Sequence, residues 1–295
     1  LDYLDDSVRQ PEELERLAGL STLGTIPRLE AADPAEALVM LRTPRAPAAE
    51  AYRQLRTNLM YALVDGRLQS ILVTSSGAGE GKTTTAANLA LALMQLDKRV
   101  ILVDSDLRRP MLHTLFGLSN SRGLSTLFVS DDPGRRLLQP VGPGRLRVLT
   151  AGPLPPNPAE LLGTERMAAI AASLAKGADY VVYDSPPLLA VTDAAVLSRQ
   201  ADATLLVVEA GRTAAPTLQQ AAAQLRAVEA NLAGAVLNRV GPGRGYYHYY
   251  NGYYKRWEEA VAAPDGNGNG VLERLRRRAL QERVLPFPSR ISLIV

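Results

Sequence analysis

The residues Ser76-Gly77-Ala78-Gly79-Glu80-Gly81-Lys82-Thr83 bring together the groups that hold a polyphosphate. Glycines let successive backbone N–H groups converge on an anion, and a helix starting there adds the positive end of its dipole. Lys82 can reach the outer phosphates, and Thr83 offers a hydroxyl to magnesium. The loop follows the apolar run Ile71-Leu72-Val73 and precedes a helical stretch, as the pattern G-x-x-x-x-G-K-[ST] requires. The segment therefore predicts ATP and Mg2+ as ligands, with Gly77, Ala78, Gly79, Glu80, Gly81, Lys82, Thr83 and Thr84 around the nucleotide. Its one departure is Ser76, where the pattern has its first glycine.

Two further apolar runs end in acids. Val100-Ile101-Leu102-Val103 runs into Asp104-Ser105-Asp106, and Tyr180-Val181-Val182-Tyr183 into Asp184. Ligands of an open α/β sheet lie beyond the carboxyl ends of its strands. A carboxylate there can hold magnesium through water or accept a proton from an attacking hydroxyl. Any one of these aspartates reads as readily as a helix cap. Three at strand ends beside a phosphate loop argue against that explanation for the set. Arg108 and Arg109 leave two readings open, neutralising transition-state charge or an ion pair at a helix start.

Six of the eleven tyrosines lie in Gly245-Tyr246-Tyr247-His248-Tyr249-Tyr250-Asn251-Gly252-Tyr253-Tyr254. The segment has neither strand alternation nor a helical stripe, so it reads as a phosphoacceptor tail or as a low-complexity one. Composition favours the second reading, and the neighbouring phosphate loop with a spare aspartate favours the first. A phenol with a pKa near ~10 needs a nearby base or metal to attack at neutral pH.

The elements that must position these groups follow from the apolar pattern. Short β-branched runs at 71–73, 100–103, 147–149, 180–183, 204–208 and 233–237 alternate with helical stretches. Continuous apolar strands separated by helices predict a doubly wound α/β domain, a mostly parallel sheet with helices on both faces. Glu50 to Val64 predicts a helix with Tyr52, Leu55, Leu59 and Leu63 on one face. Glu50, Arg53 and Arg56 form a charged stripe beside it, ordinarily a solvated face. Along the chain, 1–30 reads as a helical segment with a break at Gly24 and an extended Thr25-Ile26-Pro27. Residues 31–49 read as an Ala/Pro-rich linker, 50–240 as the main domain, 241–257 as the tyrosine cluster, and 258–295 as a linker and basic tail.

Composition narrows the function classes. The 295 residues carry a net charge of +3, but six arginines against two glutamates fall in 271–295. The rest of the chain holds 27 basic against 28 acidic residues. The basic balance belongs to the tail, and no nucleic-acid partner is expected. With no cysteine and two histidines, a disulfide framework, a zinc–thiolate site and a histidine metal cluster are excluded. No run approaches the ~20 apolar residues that span a bilayer. The stretch Leu272 to Arg283 reads as a basic amphipathic helix or a plain solvated one.

In this order the motifs resemble the bacterial tyrosine kinases of capsule and exopolysaccharide export, relatives of the deviant-Walker ATPases of the MinD and ParA group. Ser76 to Thr83 resembles their Walker A motif and Ile101 to Pro110 their Walker A′. Val181 to Pro187 resembles Walker B, and Gly152 to Leu162 a Pro-rich family loop. Gly77 stands where MinD-type ATPases carry a signature lysine, which favours the kinase branch. Leu1 to Asp6 resembles the juxtamembrane exit of a membrane-anchored polysaccharide co-polymerase.

The resemblance implies a P-loop fold of the MinD/ParA kind and ATP- and Mg2+-dependent tyrosine autophosphorylation that regulates polysaccharide assembly or export. It implies Lys82 on the phosphates, Thr83, Asp106 and Asp184 around the metal, and Asp104 orienting and deprotonating the incoming tyrosine. Tyr246, Tyr247, Tyr249, Tyr250, Tyr253 and Tyr254 become the acceptors. Glu50, Arg53 and Arg56 become a ring-forming motif, and Asn238 resembles an adenine-reading residue, although a strand-end turn explains that position equally. Implied partners are further copies in a homo-oligomeric ring, a membrane activator or co-polymerase module in cis or in trans, and a protein-tyrosine phosphatase. The implied location is cytoplasmic, at the inner face of the bacterial plasma membrane. The alternatives are a positioning ATPase of the MinD/ParA type and a non-catalytic ATP-dependent scaffold of a polysaccharide export complex.

Overall fold

Each apolar run forms a strand, and the stretches between them form helices. A computed structural model describes residues 6–29, 33–62, 68–130, 135–142 and 145–241. The chain begins with α1 (Pro11–Ala18), β1 (Thr22–Pro27), a 3-10 turn at Pro34–Ala37, α2 (Val39–Arg42) and α3 (Pro47–Ala62). It continues through β2 (Ser70–Ser75), α4 (Lys82–Met94), β3 (Val100–Asp104), α5 (Leu112–Phe116) and α6 (Leu124–Leu127). A 3-10 turn at Arg135–Leu137 leads to β4 (Gln139–Val141), β5 (Leu146–Leu149), α7 (Pro158–Leu162) and α8 (Glu165–Gly177). The last elements are β6 (Tyr180–Asp184), α9 (Asp193–Ser198), β7 (Ala203–Glu209), α10 (Ala215–Ala227) and β8 (Leu232–Val240).

The strands form one sheet in the order β1-β8-β7-β2-β6-β3-β5-β4. Every pairing is parallel except that of the short edge strand β4 with β5. Successive side chains on a strand face opposite ways. Ile71, Val73, Leu102, Val182, Leu205 and Val207 therefore pack with α2, α3 and α4 on one side. On the other side, Leu72, Ile101, Val103, Val181 and Tyr183 pack with α6 and α8, while Leu206, Val208, Ala235 and Leu237 pack with α1 and α10. With both faces covered, each strand must be apolar on both sides, as the sequence pattern predicts.

Three boundaries differ from the sequence expectation. Gly24, expected as a break, lies inside β1, which pairs with β8 as the edge of the sheet. A Cβ on Gly24 would sit 3.1 Å from the Cβ of Leu55, so glycine is what lets α3 approach this strand. Residues 31–49, expected as a linker, are structured where described: Leu38, Val39 and Met40 are buried in the core. Asn88 of α4 holds this segment, accepting from the Met40 N–H at 3.1 Å and donating to the Ala37 carbonyl at 2.8 Å. Helix α3 starts at Pro47 rather than Glu50, since proline suits a first turn that needs no N–H donor there.

The tyrosine cluster, Leu63, residues 1–5 and the tail 258–295 lie outside the described residues. Among the described residues no helix is long and apolar enough to cross a membrane.

Candidate active site

The phosphate loop joins β2 to α4 at the carboxyl edge of the sheet, between β7 and β6. Gly79 and Gly81 adopt φ of 80° and 92°, the left-handed region that side chains disfavour. A Cβ on Gly81 would also lie 2.1 Å from the Asn238 amide nitrogen. That nitrogen donates to the Glu80 carbonyl at 2.8 Å, so the residue read as contacting adenine holds the loop backbone from the end of β8.

The Ser76 departure has a local explanation. Its hydroxyl, buried in the loop, lies 2.9 Å from both carboxylate oxygens of Glu80. The same carboxylate accepts from the Gly77 N–H at 2.8 Å and from the Thr213 hydroxyl. Glu80 therefore turns into the protein and ties the loop to the segment after β7, while Ala78 and Gly79 stay exposed at the mouth. The Glu80 side chain, expected around the nucleotide, contributes to loop shape here.

The three aspartates converge. Asp104 and Asp184 are directly opposed in register at the ends of β3 and β6. Asp106 Oδ2 is 3.3 Å from the Lys82 ammonium. Its Oδ1 accepts from the backbone N–H groups of Arg108 at 3.2 Å and Arg109 at 2.9 Å. Asp104 Oδ2 accepts from the Leu112 N–H at 3.0 Å. The Ser105 hydroxyl donates to the Asp184 carbonyl at 2.6 Å, which fixes the two strand ends to each other. Thr83 and Thr84 lie half-buried in the first turn of α4.

The electrostatics favour an added cation. Burial raises the Asp104 carboxyl well above the usual range, and the facing Asp184 raises it further. Burial pushes Asp184 up to about 6 against the pull of Lys82 and the Thr83 hydroxyl. Lys82 is itself held up, because the charges of Asp184 and Asp106 outweigh its desolvation. Neither oxygen of Asp184 nor Oδ1 of Asp104 has a partner in good hydrogen-bond geometry. Buried carboxylates with orphaned oxygens suit a divalent cation. Among the described residues no three His, Cys, Asp or Glu side chains form a ready metal cage. Magnesium commonly takes one or two carboxylates and completes its shell with phosphate and water. Of the expected set Thr83, Asp106 and Asp184, Asp184 has open oxygens for it, while both oxygens of Asp106 are engaged by Lys82 and two backbone N–H groups.

Other expected residues have partners within their own chain. Arg53 bonds Glu50 at 2.8 Å, the Pro44 carbonyl at 2.6 Å and Gln95 at 3.2 Å, and Arg56 bonds the Ala92 carbonyl at 2.9 Å. The stripe lies against the end of α4 instead of standing fully solvated. Arg108 is ion-paired with Asp193 at 2.9 Å, which answers one of the two readings of that arginine. Sequence reasoning missed Thr213, Asp193 and Glu209, the last of which pairs with Arg212 and Arg239. The acid Asp193 opening a helix was the one visible signal among them.

The family described as the CobQ/CobB/MinD/ParA nucleotide binding domain matches residues 71–280. Tyrosine-protein kinase YwqD of Bacillus subtilis is 39% identical over 217 residues, which cover 74% of this chain and 90% of that one. The solved kinase domain of Escherichia coli tyrosine kinase ETK is similar at a TM-score of 0.73 and 34% identity, covering 81% of this chain and 98% of that one. The chain spans only 35% of the length of Escherichia coli tyrosine-protein kinase etk itself. The chimerical protein CapA2B2 is similar at a TM-score of 0.74 and 34% identity, over 79% of this chain and 100% of that one. With a phosphate loop, three converging strand-end aspartates and these relatives, the chain belongs to the bacterial tyrosine-protein kinases of the MinD/ParA nucleotide-binding class.

Proposed function

We propose that the chain transfers the terminal phosphoryl group of ATP, with Mg2+, to the tyrosines of its own 246–254 cluster, and that this cycle regulates assembly or export of a capsular or extracellular polysaccharide. The observation that carries the reading is the trio Asp104, Asp106 and Asp184 around Lys82, with oxygens of Asp104 and Asp184 left open. A nucleotide-binding scaffold needs Lys82 and one metal-supporting acid. Phosphoryl transfer to a phenol also needs a proton acceptor, and Asp104 is suited to it because its buried Oδ1 is left without a partner at the same edge of the sheet.

Magnesium, when bound, supplies charge neutralisation for the polyphosphate. Lys82 and the loop amides orient the phosphates, and Asp106 and Asp184 support the metal. Asp104 takes the hydroxyl proton as the tyrosine oxygen bonds to phosphorus and the bond to ADP breaks. Transfer occurs between copies in a ring formed through Glu50, Arg53 and Arg56. Each added phosphate brings about −1.5 to −2 charges, so a heavily modified ring is driven apart. Partners in this reading are a membrane activator or co-polymerase module, in cis or in trans, and a protein-tyrosine phosphatase. The site of action is the cytoplasmic face of the bacterial plasma membrane.

Incubation of the full chain with ATP and Mg2+, followed by intact mass and peptide mapping, tests the reaction. Phosphate on Tyr246 to Tyr254 supports it. ADP release with no change in protein mass overturns it in favour of a positioning ATPase or scaffold.

A further inference from the structure

Asp193 opens α9 and is fully buried. The Arg108 guanidinium meets it with two parallel bonds, Nε to Oδ2 and Nη2 to Oδ1, both 2.9 Å. A two-pronged pair of this kind fixes orientation as well as charge, which a lysine cannot do. Arg108 is also the residue whose backbone N–H, with that of Arg109, holds Asp106 Oδ1. One residue thus grips a metal-supporting carboxylate with its main chain and a buried anchor with its side chain.

The anchor is fixed in turn to the phosphate loop. Between Asp184 and Asp193 the chain crosses the end of β2, where Leu188 N–H donates to the Ser75 carbonyl at 2.8 Å and Leu189 N–H to the Ser76 carbonyl at 3.3 Å. Ala194, Ala195 and Leu197 bury α9 in the core. The contacts close a circuit from Lys82 to Asp106, through Arg108 to Asp193, and back through residues 188–189 to the loop that carries Lys82.

We propose that the Arg108–Asp193 pair is a positioning clamp for phosphoryl transfer, locking the loops beyond β2, β3 and β6 into one rigid frame so that Asp106 stays aimed at Lys82. Neither residue of the pair acts on the transferring group itself. The guanidinium is held by Asp193, and its contribution is the placement of Asp106. A displacement on the order of 1 Å at a catalytic group costs about 100-fold in rate, so a clamp distant from the reacting atoms can still control turnover. The inference rests on the kinase reading for its rate measurements, but not for its binding measurement.

The test uses the full chain with Arg108→Lys, Asp193→Asn, and the cycle of Arg108→Ala, Asp193→Ala and the double variant Arg108→Ala/Asp193→Ala. Arg108→Lys keeps a cation beside the buried carboxylate. The double variant leaves no uncompensated buried charge, so it reports on the clamp even where Asp193→Asn fails to fold. Fluorescent ATP analogue binding is measured in EDTA and with Mg2+, together with melting temperature and the rate of tyrosine phosphorylation.

In Arg108→Lys, kcat is expected to fall roughly 10- to 100-fold, and KM for ATP with Mg2+ to rise about tenfold in step with the lost affinity. The Mg2+-dependent gain in analogue affinity falls about tenfold, while affinity in EDTA is unchanged. The double variant is no worse than either single one, because both substitutions remove the same clamp. An Asp193→Asn variant with parental or faster transfer overturns the proposal, since a guanidinium acting directly would then have been released. Losses that multiply in the double variant, or an undiminished Mg2+ gain in Arg108→Lys, also overturn it. A parent chain that phosphorylates no tyrosine counts against the proposed function, and the Mg2+-dependent affinity then decides the clamp.

Discussion

Asp104 and Asp184 stand directly across from each other at the ends of the adjacent parallel strands β3 and β6. Neighbouring strands are about 4.8 Å apart, so two buried carboxyl groups are brought close, offset by the Lys82 charge and by the Leu112 N–H and Thr83 hydroxyl. The arrangement is unfavourable for the empty protein and suited to a bound cation, which ties stability to function in one pair of residues.

A stability prediction follows from that pair. The Asp184 carboxyl lies at about 6 in the fold against 3.8 unfolded, so folding favours its protonated form. Its contribution to stability is fully present below about pH 4 and is lost as pH rises through about 6. In EDTA, Asp184→Asn should raise unfolding free energy at pH 7.5 by roughly 3 kcal/mol, and it should flatten the slope between pH 4 and 6. The same variant should lose phosphoryl transfer. Urea midpoints across that pH range, compared with the parent, check the first statement, and identical pH slopes would sink it.

The Glu80 carboxylate accepts from Ser76, Gly77 and Thr213, so Glu80→Ala strands two buried hydroxyls and a half-buried N–H at once. The expected cost is about 2–3 kcal/mol, whereas Ser76→Gly leaves two of the bonds intact and should cost about 1 kcal/mol. Denaturant unfolding of both variants gives the ratio. Equal losses would show that the serine, rather than the carboxylate, is the centre of the latch.

Gly81→Ala brings two faults together, a φ of 92° and a Cβ 2.1 Å from the Asn238 amide. Nucleotide affinity should fall by at least about tenfold, because left-handed strain alone costs about 1–2 kcal/mol. Adding Asn238→Ala relieves the collision but not the strain, so recovery should be partial. Titration with a fluorescent ATP analogue measures both, and full recovery in the double variant would refute the strain argument.

How much of this was legible depends on where each partner lies. The six principal strands show in sequence because burial on both faces leaves them continuously apolar. The edge strand β1 shows only in part, since Thr25-Ile26-Pro27 reads as extended but Gly24 reads as a break until α3 is packed on it. The run Leu38-Val39-Met40 was hidden among alanines and prolines, and only Asn88 reveals that it is anchored. Asp104, Asp106 and Asp184 were readable because strand ends and the phosphate loop announce one edge of a sheet. The pairings of Asp193 and Thr213 were not, because their partners are 85 and 133 residues away and no local pattern encodes such a contact.

The tyrosines of the described residues differ in access. Tyr183 precedes Asp184 by one residue, yet the pleat sends its ring to the opposite side, among Leu72, Val103 and Val181. Tyr52 is fully buried on α3. Burial raises both phenols well above their usual range, so neither can present an oxygen to a site without local unfolding. Tyr61, by contrast, is 74% exposed. Peptide mapping over a time course with ATP and Mg2+ should find phosphate on Tyr246 to Tyr254 first, Tyr61 later if at all, and none on Tyr52 or Tyr183. Early phosphate on Tyr183 would mean that β6 opens during turnover, which the Ser105–Asp184 bond and the Arg108–Asp193 pair both oppose.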